Sequence, residues 1–177
     1  MNSMRTVGFR AFILAALTAP TVLHGCAYSR HFNMPPGAQN LKTIAVQIFA
    51  NRTTYVDVEN QFTDALRREI SQKTRLSIAD RGQADSVLSG RIDAYTRKVL
   101  REDDTDQVTR YSIILTVTYT FTRLPSTGQP EKVIKTARGL QRSAEYEVLS
   151  PITEADARAE AVAKIARKVV SHIFETW

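Results

Sequence analysis

The chain has 177 residues, 43% of them hydrophobic and 24% charged, with a formal net charge of +6 at neutral pH. That length suits one domain with its own core, and the charge is too mild for a nucleic-acid binder, which concentrates Lys and Arg in runs that are missing here. A single cysteine, Cys26, excludes an internal disulfide, and three histidines, His24, His31 and His172, supply no Cys/His set for zinc.

Residues 1–10 carry Arg5 and Arg10 and no acid, and residues 11–23 are largely apolar. A basic start, a short apolar run and small residues ahead of a cut site describe a secretory signal peptide. The run falls short of the ~20 apolar residues a comfortable membrane span needs. Leu23-His24-Gly25-Cys26 resembles a bacterial lipobox, whose cysteine is lipidated and becomes the first mature residue; His24 departs from the small or β-branched residue usual at its position. Residues 1–25 are therefore expected to be removed and Cys26 to carry the acyl chains. Each buried methylene contributes about 0.8 kcal/mol and one chain alone binds marginally, so the three chains of a lipoprotein would anchor firmly. Ala27 in place of aspartate favours the outer membrane, by analogy with enteric bacteria. Residues 26–40, with Pro35-Pro36-Gly37, read as a tether and turn.

The mature chain then alternates between the two periodicities. Ile44, Val46 and Ile48 recur at period two in residues 42–49 and predict a half-buried strand, broken by residues 50–54. Val58, Phe62, Ala65, Leu66 and Ile70 share one face of a helix expected over residues 57–73, with Asp57 or Thr54 as its cap. Residues 76–79 are a short strand candidate and residues 80–85 a turn. Residues 87–100 read as one strand weakened at Gly90. The acidic loop Glu102–Asp106 lacks the glycine and terminal glutamate of a calcium loop and is expected to be solvated. Tyr111, Ile113, Leu115, Val117, Tyr119 and Phe121 form an unbroken apolar face, opposite Ser112, Thr116, Thr118, Thr120 and Thr122. Residues 125–130 predict a hairpin turn and residues 132–145 the returning strand. Thr153 and Asp156 resemble a capping box at the start of a last helix. Its buried stripe is expected at Ala155, Ala159, Val162, Ile165, Ala166, Val169 and Ile173, with Arg158, Lys164, Arg167 and Lys168 in solvent. Phe174 and Trp177 are expected to pack against a sheet edge.

Two helices with apolar stripes and four or five strands with one apolar face bury each other in two layers. The fold class is therefore α+β: a two-layer α/β sandwich, with two helices packed on one face of a mostly antiparallel four- to five-stranded sheet, spanning residues 41–177 as one domain.

Catalytic chemistry finds no foothold. There is no Gly-x-Ser-x-Gly elbow, no phosphate-binding glycine loop, no metal-ligand set and no cofactor motif. His172, near a helix C-terminus, fits a favourable dipole interaction. The expectation is a non-enzyme that holds a surface near a membrane. Two surfaces qualify: the threonine-rich face of residues 112–122, and a basic set of Arg97, Lys98, Arg101, Arg110, Lys132, Lys135, Arg138 and Arg142 on three segments that could be neighbours. Arginine forks match phosphates well. Arg97, Lys98, Arg110, Lys135, Arg138 and Arg142 are the candidate ligand-binding residues.

The segments Cys26-Ala27-Tyr28, residues 41–53 (LKTIAVQIFANRT), Phe62-Thr63-Asp64-Ala65-Leu66 and residues 84–92 (ADSVLSGRI), together with the closing helix, resemble the lipopolysaccharide-assembly lipoprotein family LptE. The resemblance implies an outer-membrane lipoprotein, anchored from the periplasmic side, that plugs the β-barrel protein LptD, binds lipopolysaccharide and assists its insertion into the outer leaflet. Lipid A phosphates would then be the ligand of the basic strand residues. The strand beginning at Ile44 is also similar to LpoB-type activators of peptidoglycan synthases and to CsgG-like secretion lipoproteins, which would dock the domain on an enzyme or have it support secretion.

Overall fold

The structure is a computed structural model and describes residues 34–174. Cys26, the signal segment and Trp177 lie outside the described residues. In chain order the elements are β1 (Thr43–Val46), β2 (Ala50–Asn51), α1 (Val58–Lys73), β3 (Ser77–Ile78), β4 (Ser86–Glu102), β5 (Val108–Arg123), β6 (Lys132–Glu147) and α2 (Glu154–Phe174). They form one sheet in the order β3-β1-β4-β5-β6, with β2 also on β4.

The architecture is α+β with two helices, as expected, but the sheet is six-stranded and mixed rather than mostly antiparallel with four or five strands. The long strands β4, β5 and β6 pair antiparallel, whereas β1 pairs parallel with β3 and with β4, and β2 runs parallel along β4. The parallel part follows from connectivity, since α1 carries the chain back so that β3 re-enters beside β1 in the same direction. β2 and β3 are two residues each, too short to display an alternation.

The first strand departs from its pattern at Gln47. Ile44 and Val46 are buried, but Ile48 is 63% exposed and Phe49 takes the inward position at 1%. The chain then resumes as β2, at the residues expected to break it. Gly90 explains the shift. A Cβ there would lie 2.4 Å from Phe49 Cε1 and 2.3 Å from the Thr118 carbonyl, so only glycine leaves room for the Phe49 ring. The glycine read as a weak point in β4 is a packing requirement. Phe49 also meets Phe62 of α1 edge-on at 4.9 Å.

The core lies between the sheet and the helices. Leu88, Ile92, Ile113, Leu115, Val117, Tyr119 and Phe121 face Val58, Phe62, Leu66 and Ile70 of α1 and the buried stripe of α2. That stripe starts differently from its expected course, because Ala157 and Ala161 are buried and Ala155 and Ala159 are exposed. From Val162 onward the expected residues are buried, joined by Val170. Phe174 packs inward against the Phe121 ring at 5.7 Å rather than at a sheet edge. The capping box forms as the spacing predicts: Thr153 N–H donates to Asp156 Oδ2 at 2.9 Å and Asp156 N–H to Thr153 Oγ1 at 3.2 Å. At α1, Asp57 holds the cap position in the left-handed region, and its carboxylate accepts from the Asn60 and Gln61 side chains instead of the backbone. Asp85 ties the sheet's lower end together by accepting from the Lys42 and Thr43 backbone N–H groups at 2.8 and 3.0 Å.

Candidate functional site

The candidate cations divide between two ends of the sheet, and strand register decides which face each one occupies. Arg97 stands opposite Ile113, so it shares the helix side of β4, while its neighbour Lys98 stands opposite Ser112 on the uncovered side. Arg110 stands opposite Glu147. These residues surround the β4–β5 hairpin tip. In β6, Lys135 stands opposite Phe121 and Arg142 opposite Leu115, both on the helix side. Arg138 falls in a bulge beside Gly139, which has φ +65° and donates its N–H to Thr118 Oγ1 at 3.4 Å. The structure therefore does not gather all six candidates into one patch.

At the tip Arg97 and Arg110 are committed to the fold. Arg97 Nη1 donates to Glu154 Oε2 at 3.1 Å and its guanidinium lies over the Tyr111 ring at 4.8 Å. Glu154 also accepts from the Tyr146 hydroxyl at 3.0 Å, and Tyr146 stacks on Tyr111. The Glu154 hydrogen bond holds the Arg97 pKa above its ordinary value. Arg110 is paired with Glu147 and, at 3.9 Å, with Glu145. Tyr95 sits in the same cluster, its hydroxyl pushed up to about 12, by burial first and then by the charge of Glu154. Beyond it the loop is acidic and solvated, as expected. Asp103 accepts from the Thr105 hydroxyl at 2.7 Å and from the Gln107 and Thr105 backbone N–H groups, which hold its carboxyl below the ordinary value. Val99, Leu100, Val148, Leu149 and Ile152 are exposed at this end, Leu149 at 96%. The tip is thus apolar and acidic, with Arg97 and Arg110 paired to carboxylates.

The β6 edge is different. A concavity of about 630 Å³ lies between β6 and α2, lined by Ile114, Gln141, Arg142 and Ser143 on one side and Lys164, Arg167, Lys168 and Ser171 on the other. Lys164 Nζ donates to the Ser143 carbonyl at 3.3 Å, satisfying an edge-strand acceptor, and pairs with Glu160 at 2.8 Å. Arg167 approaches Glu69 at 3.9 Å. Lys135, Arg142 and Lys168 have no carboxylate partner among the described residues. His172, hydrogen-bonded through Nδ1 to the Tyr119 hydroxyl at 2.6 Å, has its pKa lowered by burial and then by the charges of Lys135 and Lys168. Those two lysines therefore flank the same imidazole from different elements.

Lys164, Arg167 and Lys168 are what sequence reasoning missed. Their spacing on the polar side of α2 marks them as solvated, which they are; that α2 lies along the edge of β6 is a tertiary fact. The threonine-rich face does lie opposite the helices. Ser112, Thr118 and Thr122 are nonetheless buried among neighbouring side chains, and Thr118 donates to Asp93 at 2.6 Å, which also accepts from Arg91.

A family profile described as LptE, lipopolysaccharide-assembly, matches residues 41–176. The chain belongs to the LptE family. Among curated proteins no significant match is found. Similar solved structures include the hypothetical protein CT253 from Chlamydia trachomatis, 11% identical over 75% of this chain and 95% of that one, with a TM-score of 0.51. The PelC dodecamer from Paraburkholderia phytofirmans is 16% identical over 77% of this chain and 89% of its own, at 0.48. Lipoprotein GNA1162 from Neisseria meningitidis is 8% identical over 73% and 99%, at 0.45. At these identities the likeness to CT253 concerns the fold alone. Membership of the LptE family fits an exported lipoprotein of lipopolysaccharide assembly.

Proposed function

We propose that this LptE-family chain is an outer-membrane lipoprotein, cut before Cys26, lipidated there, and held by residues 26–40 with residues 41–177 as its single working domain. It plugs and assists an LptD-type β-barrel in placing lipopolysaccharide in the outer leaflet, binds lipopolysaccharide itself and catalyses nothing. The observation that carries this reading is the family match over residues 41–176. Two features of the chain support it: the lipobox-like residues 23–26, and a polar, threonine-rich sheet face suited to the polar interior of a barrel.

Affinity purification from detergent-solubilised outer membranes tests the partner. A large β-barrel protein recovered in equal amount is the expected outcome; recovery of a peptidoglycan synthase in its place would overturn the reading. Cys26→Ala is expected to abolish labelling by a fatty-acid analogue and to release the protein from membranes, and persistent labelling would contradict the anchor.

A further inference from the structure

We propose that the concavity between β6 and α2 is a phosphate-binding site for the head of a phosphorylated amphiphile, formed by Arg142 from the strand and Lys164 and Lys168 from the helix. The ligand class rests on the lipopolysaccharide reading above; the site itself rests on the geometry. Positions 164 and 168 are one helical turn apart, so both ammonium groups rise from the same line along α2. Arg142 faces them from the other wall and supplies a planar fork, which suits two phosphate oxygens at once, while the lysines act as mobile point charges.

Positive charge outweighs negative here, the reverse of the tip. Glu160 and Glu69 are the carboxylates in contact, and each is already engaged, with Lys164 and with Arg167. Arg142 and Lys168 are left with surplus positive charge, having no carboxylate partner among the described residues. An anion with more than one negative charge answers that surplus. The volume, about 630 Å³, lies within the range of small-molecule sites, and the concavity is open to solvent. A head group still joined to its acyl chains can therefore enter while the chains stay outside.

The test uses the full lipidated chain in detergent and measures binding of diphosphorylated lipid A, its monophosphorylated form and inorganic pyrophosphate. Wild type is expected to prefer the diphosphorylated lipid. The double variant Arg142→Glu/Lys168→Glu is expected to lose at least about tenfold in affinity for it, because two charge-assisted contacts become repulsive. Arg68→Glu/Lys73→Glu, an equal charge change on the exposed face of α1, is expected to bind as wild type does. Arg142→Gln/Lys168→Gln repeats the measurement with less perturbation of folding and is expected to lose affinity in the same direction. Weak pyrophosphate binding, lost in the same variants, supports phosphate as the recognised group; pyrophosphate binding as tight as lipid A overturns the assignment to an amphiphile. Undiminished lipid A binding in both double variants removes the site and leaves the wider reading standing. Failure of wild type to bind any lipid A removes the wider reading instead. Loss of barrel co-purification with lipid A binding intact would make this surface a protein contact and end the proposal.

Discussion

The hairpin tip and the β6–α2 edge both carry arginines and lysines, but acidic residues outnumber them at the tip and are outnumbered at the edge. At the tip Arg97 and Arg110 are matched by Glu154, Glu147 and Glu145, with stacked tyrosines beneath. At the edge Arg142, Lys168 and Lys135 stand without carboxylates among the described residues. A basic residue is therefore informative about ligands only after its partners are known. Paired cations hold elements together, here β4 to the start of α2, and unpaired ones are available.

The comparison can be broken by removing what both regions rest on. Phe121→Ala deletes a fully buried ring opposite Lys135 and against Phe174, and is expected to cost about 3–5 kcal/mol in chemical denaturation. It should also loosen the edge site, because Lys135 and α2 lose their shared support. A smaller change sharpens the contrast. Glu154→Gln weakens one acceptor shared by Arg97 and Tyr146 and is expected to cost about 1 kcal/mol, with lipid A binding unaltered. A drop in binding would mean that the tip is part of the site.

The smallest effect is a difference in pH dependence. His172 has a folded pKa below its ordinary 6.5, so the unfolded chain binds more protons near that value. Its contribution to stability is complete above the unfolded value and is lost as pH falls from there through the folded one, since a cation would be added beside Lys135 and Lys168. Asp156, at the tip end, has a carboxylate held below 3.8, first by the Thr153 hydroxyl. Its contribution is complete above that value and is lost only as pH falls below it, through the folded pKa. Denaturation midpoints are expected to decline between about pH 7 and 5 in wild type and to stay flatter in His172→Gln. Equal slopes in the two proteins would separate His172 from the lysines.

Much of the fold is legible in the sequence because period and punctuation are clear. The apolar face of β5, the stripe of α1 and the capping box at Thr153 each follow from a repeat or a spacing that one segment carries by itself. The first turns of α2 are ambiguous because alanines occur at 155, 157, 159 and 161, and composition alone does not say which pair turns inward. Ile48 defeats its pattern for another reason: period two places it inside, but the space opened by Gly90, some forty residues later, is taken by Phe49. Of the residues around the edge site, Lys135 and Arg142 are found from charge. Lys164 and Lys168 are not, since nothing within α2 distinguishes a lysine over solvent from a lysine over a strand edge.

By itself the sequence determined the class of fold and the family, because each is written in stretches whose residues act through local chemistry or local periodicity. The tertiary structure alone decided the mixed sheet, the inward turn of Phe49, and which cations are matched and which stand open. Those depend on strand register and on where α2 lies across the sheet, and register and docking are set by side chains that meet only after the chain has closed upon itself.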